Sequence, residues 1–362
     1  MSSSIQYVRL GQSGLKVSKI ILGCMTYGSP EWQKWVLGKD EGIVHIKAAY
    51  DAGINAFDTA NVYSNGLSEI ILGEAIKKYD FPRDKIVVLT KVYGVVGKEP
   101  ELNLFGDPKS DTLGYVNQHG LSRKHIFDSV KHSLERLQLD YIDVLQCHRF
   151  DYDTPVAETM KALHDVVQAG YVRYIGMSSC HAYQFHAMQS YAIQNNLTPF
   201  ISMQNHYNLI YREEEREMFP TLKMFGVGAI PWSPLGRGKL TRPLAKQGDT
   251  KRGETDKLNR SFNVACLYLL LDYRLLVRYN GIESTEAIIN RVEELAQKKG
   301  LSMAQLSIAW MLGKEGVTAP IVGTTSLENL KELIQATKVE LTAEDIKFLE
   351  EEYKPLIISG HS

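Results

Sequence analysis

An excess of charge is missing from this chain: 41 Lys and Arg stand against 42 Asp and Glu, a net charge of −1. That balance excludes a strong electrostatic pull toward nucleic acid or an anionic membrane surface. Cysteine is sparse as well. Cys24, Cys147, Cys180 and Cys266 lie far apart, with no CxxC pair and no His-spaced ligand pattern, so a reduced intracellular chain without a metal site is expected. No stretch reaches the roughly 18 uninterrupted apolar residues that cross a bilayer. The start, Met1-Ser2-Ser3-Ser4-Ile5-Gln6, has neither a basic segment leading into an apolar run nor an Arg-rich amphipathic face. A soluble, cytoplasmic protein with no membrane partner is the expectation. The Gly-rich dinucleotide fingerprint is absent too: the first strand candidate runs into Gly23-Cys24-Met25-Thr26-Tyr27-Gly28, which is not GxGxxG.

What is present is a chain of 362 residues, 44% hydrophobic, enough for one large core. Residues 7–10 and 15–20 flank Gly11-Gln12-Ser13-Gly14 and predict a short hairpin. Strand and helix signals then alternate. Strands are expected over 20–23, 55–57, 85–90, 141–147, 174–177, 200–204, 228–231 and 318–322. Helices are expected over 41–52, 67–79, 122–137, 155–169, 181–195, 212–224, 284–299, 303–312, 327–336 and 343–353. Continuous apolar strands suit a sheet covered on both faces. Eight strand-then-helix units match a closed α/β (β/α)8 TIM barrel with an N-terminal hairpin better than an open sheet. Residues 92–120, with Gly94, Gly97, Pro100, Gly106, Pro108 and Gly114, predict a long surface loop at the carboxyl face. No shift of composition marks a second domain, so residues 1–362 are expected to form one unit.

The stretch Phe57-Asp58-Thr59-Ala60-Asn61-Val62-Tyr63-Ser64 places a carboxylate at a strand end and a phenol on the loop above it. Taken alone it also suits a strand running into a turn, with Asp58 capping the next helix. In a barrel the chemistry sits at the carboxyl ends of the strands. Those ends are Asp58, Lys91, His148, Ser178, Ser179, Gln204, Trp232 and Gly323. A strand-end Lys usually faces solvent, and a strand-end His usually makes a structural hydrogen bond. With Asp58 and Tyr63 they form a coherent acid set. A phenol of pKa about 10 needs help to donate a proton near neutrality. A neighbouring ammonium lowers that pKa, and a carboxylate holds the ammonium in place. An imidazole orients the substrate oxygen, as carbonyl reduction requires.

These residues lie in motifs that resemble the aldo-keto reductase superfamily, in its fungal aryl-alcohol dehydrogenase-like branch. The motifs are Phe57-Asp58-Thr59-Ala60-x-x-Tyr63-Ser64, Thr90-Lys91 and Tyr141-Ile142-Asp143-x-Leu145-Gln146-x-His148. Val172-Arg173-Tyr174-Ile175-Gly176-x-Ser178 and Pro231-Trp232-Ser233-Pro234-Leu235 follow in order. The resemblance runs from about Val8 to Glu350. It implies a barrel, a nicotinamide cofactor held without a Gly-rich loop, and a tetrad in which Tyr63 is the acid. Lys91 and Asp58 then tune Tyr63, and His148 orients the carbonyl.

The resemblance also implies cofactor contacts. Trp232 falls where the family stacks an aromatic on the nicotinamide ring, and Gln204 and Ser178 fall where it grips the carboxamide. The family commonly has Asn where this chain has Ser179. Leu235-Gly236-Arg237-Gly238-Lys239-Leu240 resembles the segment over the pyrophosphate, with Ser233 and Leu235 leading in and Arg237 and Lys239 toward phosphate. Gly323, Thr324, Thr325 and Asn329 resemble the adenosine end, where helix-start amides suit a phosphate. Many members have Arg at the position of Asn329, so NADH stands beside NADPH. The phosphate donors at residues 323–325 and the nearby Lys331 favour NADPH.

The expected activity is reduction of a small-molecule carbonyl, an aldehyde or ketone, to an alcohol, aryl or aliphatic aldehydes included. The alternative is a cofactor-binding regulatory subunit similar to potassium-channel β-subunits, with little turnover. One stretch does not match the family pattern. Residues 262–279 form an apolar run inside a polar loop, too short and too charged, with Asp272 and Arg274, to span a membrane. A lid helix, a partner-binding helix or a translated intron would each account for it. The last is favoured because removing the run joins two family-like polar segments.

Overall fold

The computed structural model describes residues 5–107, 109–247 and 282–361. The apolar run at 262–279 lies outside the described residues. The chain enters through a hairpin, β1 (Tyr7–Arg9) and β2 (Lys16–Ser18), paired antiparallel with Val8 opposite Val17. Eight parallel strands follow. They are β3 (Ile21–Gly23), β4 (Ala56–Asp58), β5 (Val87–Val92), β6 (Ile142–Cys147), β7 (Val172–Ser178), β8 (Phe200–Gln204), β9 (Gly228–Ala229) and β10 (Ile321–Val322). Their order around the sheet is β10-β3-β4-β5-β6-β7-β8-β9. Ala229 bridges Val317 in parallel, Thr318 N donates to Ala229 O at 2.8 Å, and Ile321 N donates to Pro231 O at 2.9 Å. These bonds join the two edges, and the sheet is the expected barrel.

All six residues of β5 and of β6 are buried, one face toward the helices and one toward the barrel axis. The axis is filled at the strand starts by Ile21, Ala56, Val87, Leu89, Val144, Ile230, Ala319 and Ile321. Leu10 and Val17 of the hairpin belong to the same cluster, so the hairpin plugs this end. Higher up, a Cβ on Gly176 would stand 2.3 Å from the Ser202 hydroxyl and 3.3 Å from Gln146 Cγ. Only glycine fits where those side chains cross the interior.

Helices α1 (Lys39–Asp51), α2 (Leu67–Lys78), α3 (Arg123–Leu137), α4 (Val156–Gln168), α5 (Ala182–Gln194) and α6 (Met218–Phe225) pack on one another in sequence. After them come α7 (Glu283–Lys299), α8 (Met303–Leu312), α9 (Leu327–Gln335) and α10 (Ala343–Glu350); α9 touches both α8 and α1, which completes the ring. Their starts follow local chemistry. The Ser122 hydroxyl accepts from His125 N, and capping boxes pair Ser302 with Gln305 and Thr342 with Asp345. A separate apolar cluster joins α7, α8 and α10 to the loop after β8 through Tyr207, Ile210, Tyr211, Val292, Trp310 and Leu349.

Four expectations are corrected. The helix predicted over 212–224 starts only at Met218, after a 3-10 turn at Glu213–Glu215. Glu213 accepts from the Tyr353 hydroxyl at 2.7 Å and Leu356 N at 2.9 Å, while Glu215 is claimed by Arg212. The distant partners of Glu213 hold the chain out of the helix here. Tyr353 in turn is kept outside α10, which was expected to include it. Among the described residues, 93–107 and 109–120 form no helix or strand, as a loop requires, but this loop is not merely surface: Val95, Leu104 and Tyr115 are buried in a cluster of their own. Finally, Lys91 does not end its strand, because β5 continues through Val92.

Candidate active site

Alternation along the strands sets which side chains reach the axis. In the pairing of β5 with β6, Leu89 lies opposite Val144 and Lys91 opposite Gln146, so the polar pair sits one layer above the apolar pair. The Lys91 side chain has no solvent exposure, and the Asp58 side chain has 3%. Lys91 Nζ donates to Asp58 Oδ2 at 2.6 Å, to Thr59 O at 2.8 Å and to the Tyr63 hydroxyl at 3.3 Å. An ammonium has three hydrogens, and each has an acceptor. The other carboxylate oxygen, Asp58 Oδ1, accepts from Gln146 Nε2 at 3.0 Å and Gln204 Nε2 at 2.8 Å. Gln204 also donates to Gln146 Oε1 at 2.8 Å. A buried ion pair is tolerable when its remaining hydrogen-bonding capacity is met in this way.

Tyr63 opens the turn Tyr63–Gly66, in which Ser64 and Asn65 hold φ of 48° and 51°. This left-handed step turns the chain back toward α2 directly after the phenol. His148 follows β6, its N donating to Val92 O at 2.9 Å. Its ring meets Tyr63 edge-on, centroids 5.8 Å apart, and it is buried with no protein partner on Nδ1. The four tetrad residues therefore come together as the sequence predicts.

Burial sets the protonation states. It pushes the Tyr63 pKa up, and the nearby Lys91 pulls it down without cancelling that effect. The expected net lowering of the phenol is thus corrected: Tyr63 is firmly protonated. Burial works to lower Lys91, but Asp58 and Tyr63 outweigh it and raise the pKa, so the ammonium persists. His148 lies well below its ordinary value because of burial, with Arg149 and Lys91 acting the same way, and its imidazole is neutral.

The expected carboxamide residues lie on the next strands. Ser178 Oγ donates to Gln204 O at 2.7 Å, and Ser179 N donates to Asn205 Oδ1 at 3.0 Å. Ser179 takes φ 48°, a conformation that Asn accepts more readily than Ser. Its hydroxyl accepts from Trp232 Nε1 at 3.0 Å, and the indole stacks on His206 with centroids 4.5 Å apart. Beyond β9, Ser233 and Arg237 also hold positive φ, and Leu235 packs on the main core. Lys239 is half-buried, and burial lowers its pKa against the opposing pull of Glu286. At the mouth of β10, Gly323, Thr325 and Asn329 are exposed, and Thr324 is buried. Ser326 caps α9 by accepting from Asn329 N at 3.3 Å. The hydrogen bonds of this last group stay within its own turn, apart from the tetrad.

Sequence reasoning assigned no role to Gln146, which the structure places on Asp58. The alternation Val144, Gln146, His148 along β6 was the signal that finds it. Asn205 was also missed. It holds Ser179 N on one side and donates to the buried Glu214 on the other. Nothing in the local pattern marks it.

Among the described residues no cluster of His, Cys, Asp and Glu is arranged to hold a metal, and no helix is long and apolar enough to cross a membrane. The parallel barrel carries this buried polar layer at its strand mouths, and comparison with known proteins places the chain in a family of oxidoreductases. The chain belongs to the aldo/keto reductase family, whose model matches residues 19–354. It is 49% identical to a versiconal hemiacetal acetate reductase of Aspergillus parasiticus, over 98% of each chain. It is 49% identical to a putative aryl-alcohol dehydrogenase of Schizosaccharomyces pombe, over 98% of this chain and 97% of the other. An aldo-keto reductase of Metarhizium robertsii, dtxS3, is 45% identical over 99% and 94%.

Proposed function

We propose that this protein reduces aldehydes or ketones to alcohols, with NADPH as the hydride source and Tyr63 as the proton donor. The observation that carries this reading is the buried ammonium of Lys91, bonded at once to Asp58 and to the Tyr63 hydroxyl. As a proton leaves Tyr63, negative charge develops on its oxygen, 3.3 Å from a fixed positive charge in a site of low polarity. The phenol is therefore stable as an acid before reaction and stabilised as an anion during it. Asp58 holds the ammonium in place, and Gln146 and Gln204 hold Asp58. Neutral His148 is suited to donate a hydrogen bond to the carbonyl oxygen, which it would accompany toward Tyr63.

The residues at the other strand mouths fit a nicotinamide cofactor. Both hydrogens of the Gln204 amide face Asp58 and Gln146, which leaves Oε1 to accept from a carboxamide. Ser178 offers a second polar group, and Trp232 an aromatic face. The half-buried Lys239 bears a desolvation cost that a phosphate would offset, and the start of α9 supplies amides and hydroxyls. When bound, the cofactor supplies the hydride. The family's reductases and dehydrogenases named above support carbonyl chemistry with a small-molecule substrate.

The test is steady-state oxidation of NADPH, and separately of NADH, with a panel of aryl and aliphatic aldehydes and ketones. Turnover of at least one carbonyl class, faster with NADPH, is expected. Tight cofactor binding with no turnover across the panel would overturn the reading in favour of a regulatory subunit.

A further inference from the structure

The turn that presents Tyr63 also presents Asn65, and the proton-transfer scheme leaves that side chain unused. Asn65 holds φ 51°, which Asn tolerates better than most residues. Its amide reaches away from the barrel into the segment that follows β5. Oδ1 accepts from Gly97 N at 2.9 Å, and Nδ2 donates to Glu99 O and Leu102 O at 2.7 Å each. Residues 94–107 contain no helix or strand, so this one side chain supplies bonds that regular structure would otherwise supply.

Past that clasp the chain returns to the site. Phe105 lies edge-on to His148 with ring centroids 4.9 Å apart, and 5.9 Å from Tyr93. Gly94 marks how closely it packs: a Cβ there would stand 2.6 Å from Phe105 Cδ2 and 2.8 Å from Val62 Cγ1. Leu102 rests on the cluster of Val95, Leu104 and Tyr115. Phe105 is only half-buried, so part of it remains accessible, and the Arg149 guanidinium lies over its ring at 5.3 Å from the centroid. Trp32 borders Tyr63 at 6.3 Å. The proton donor and the carbonyl-orienting imidazole thus each have an aromatic neighbour, and one of the two is carried by a loop tied to the donor's own turn.

We propose that Asn65 is a positioning residue for substrate choice. It fastens residues 97–102 to the Tyr63 turn, so that Phe105 stands as a fixed apolar wall beside His148. The inference rests on the reading of Tyr63 and His148 as the reacting pair. The wall serves carbonyl compounds with a bulky, flat apolar body, which gain contact area from it. Short polar or aliphatic carbonyls do not reach it.

Asn65→Gly tests this, because glycine keeps the left-handed turn and deletes only the clasp. The KM for 2-naphthaldehyde should rise about ten-fold, while the KM for propanal and the Kd for NADPH stay within about two-fold. Phe105→Ala should do the same, and the double variant should be no worse than Phe105→Ala alone, since both act on one wall. Trypsin should cut after the exposed Lys98 faster in Asn65→Gly than in the parent, and equally so in a Tyr63→Phe background. Additive losses in the double variant, equal losses on both aldehydes, or unchanged cleavage would overturn the proposal. If the parent turned over neither aldehyde, the reading of the reacting pair would fail, while the cleavage experiment would still decide whether the clasp exists.

Discussion

The two ends of the barrel are made from the same strands, one alternation apart. At the entry end Ala56, Leu89 and Val144 meet the hairpin residues Leu10 and Val17 in an apolar plug. Two residues further along each strand stand Asp58, Lys91 and Gln146, equally hidden from water. The apolar layer needs volume and little else, because dispersion contacts have no direction. The polar layer needs every donor matched to an acceptor, because an unmatched buried charge is far costlier than a small void. The same depth of burial therefore makes one layer tolerant and the other exacting.

Substitution at equivalent depths measures that difference. Lys91→Met strands the Asp58 carboxylate and should destabilise by about 3–5 kcal/mol. Val144→Ala, one layer down, should cost only about 2 kcal/mol. Urea titrations of the two variants check the order, and a Val144→Ala loss exceeding that of Lys91→Met would break the comparison. The double variant Asp58→Asn/Lys91→Met should be more stable than Lys91→Met alone, since it removes both charges.

Gln146→Leu is milder. Asp58 Oδ1 keeps Gln204 as a donor but loses one of two bonds, so a stability loss of about 1–2 kcal/mol is expected, read in the same titrations. A loss equal to that of Lys91→Met would mean that the amides, rather than the ion pair, hold the layer together.

The smallest effect concerns pH. The His148 pKa in the folded chain lies well below 6.5, so below that pH the unfolded chain binds more protons. Stability contributed by the neutral ring is present above 6.5 and is lost as pH falls from 6.5 toward the folded value. His148→Asn should flatten that decline in thermal unfolding followed between pH 7 and about pH 5. His45, His125 and His181 are lowered as well, so the slope should shrink rather than vanish. An unchanged slope would contradict the buried, neutral imidazole.

Much of this was legible in the amino-acid order. Continuous apolar runs followed by a polar residue marked the strand mouths, and their number and spacing pointed to a closed barrel. Asp58, Lys91 and His148 were readable because each stands where an apolar run stops, and Tyr63 because it follows Asp58 on the loop above. Gln146 was harder, since an amide inside a buried strand acquires meaning only from what lies across the axis. The break at Glu213–Glu215 was invisible locally: three glutamates favour a helix until Tyr353 and Leu356, far along the chain, take up Glu213. The direction of the Tyr63 shift was misjudged for a similar reason. A lysine neighbour is visible in a motif, while the depth of burial that outweighs it is a property of the assembled barrel.

The central claim is that the proton comes from Tyr63. Tyr63→Phe keeps the ring and its neighbours and deletes only the hydroxyl that faces Lys91. Single-turnover reduction of an aldehyde accepted by the parent, measured beside NADPH binding by fluorescence titration, tests it most directly. The rate should fall by at least about 10³-fold with the NADPH Kd within about two-fold of the parent. A rate within ten-fold of the parent, at full cofactor occupancy, would contradict it.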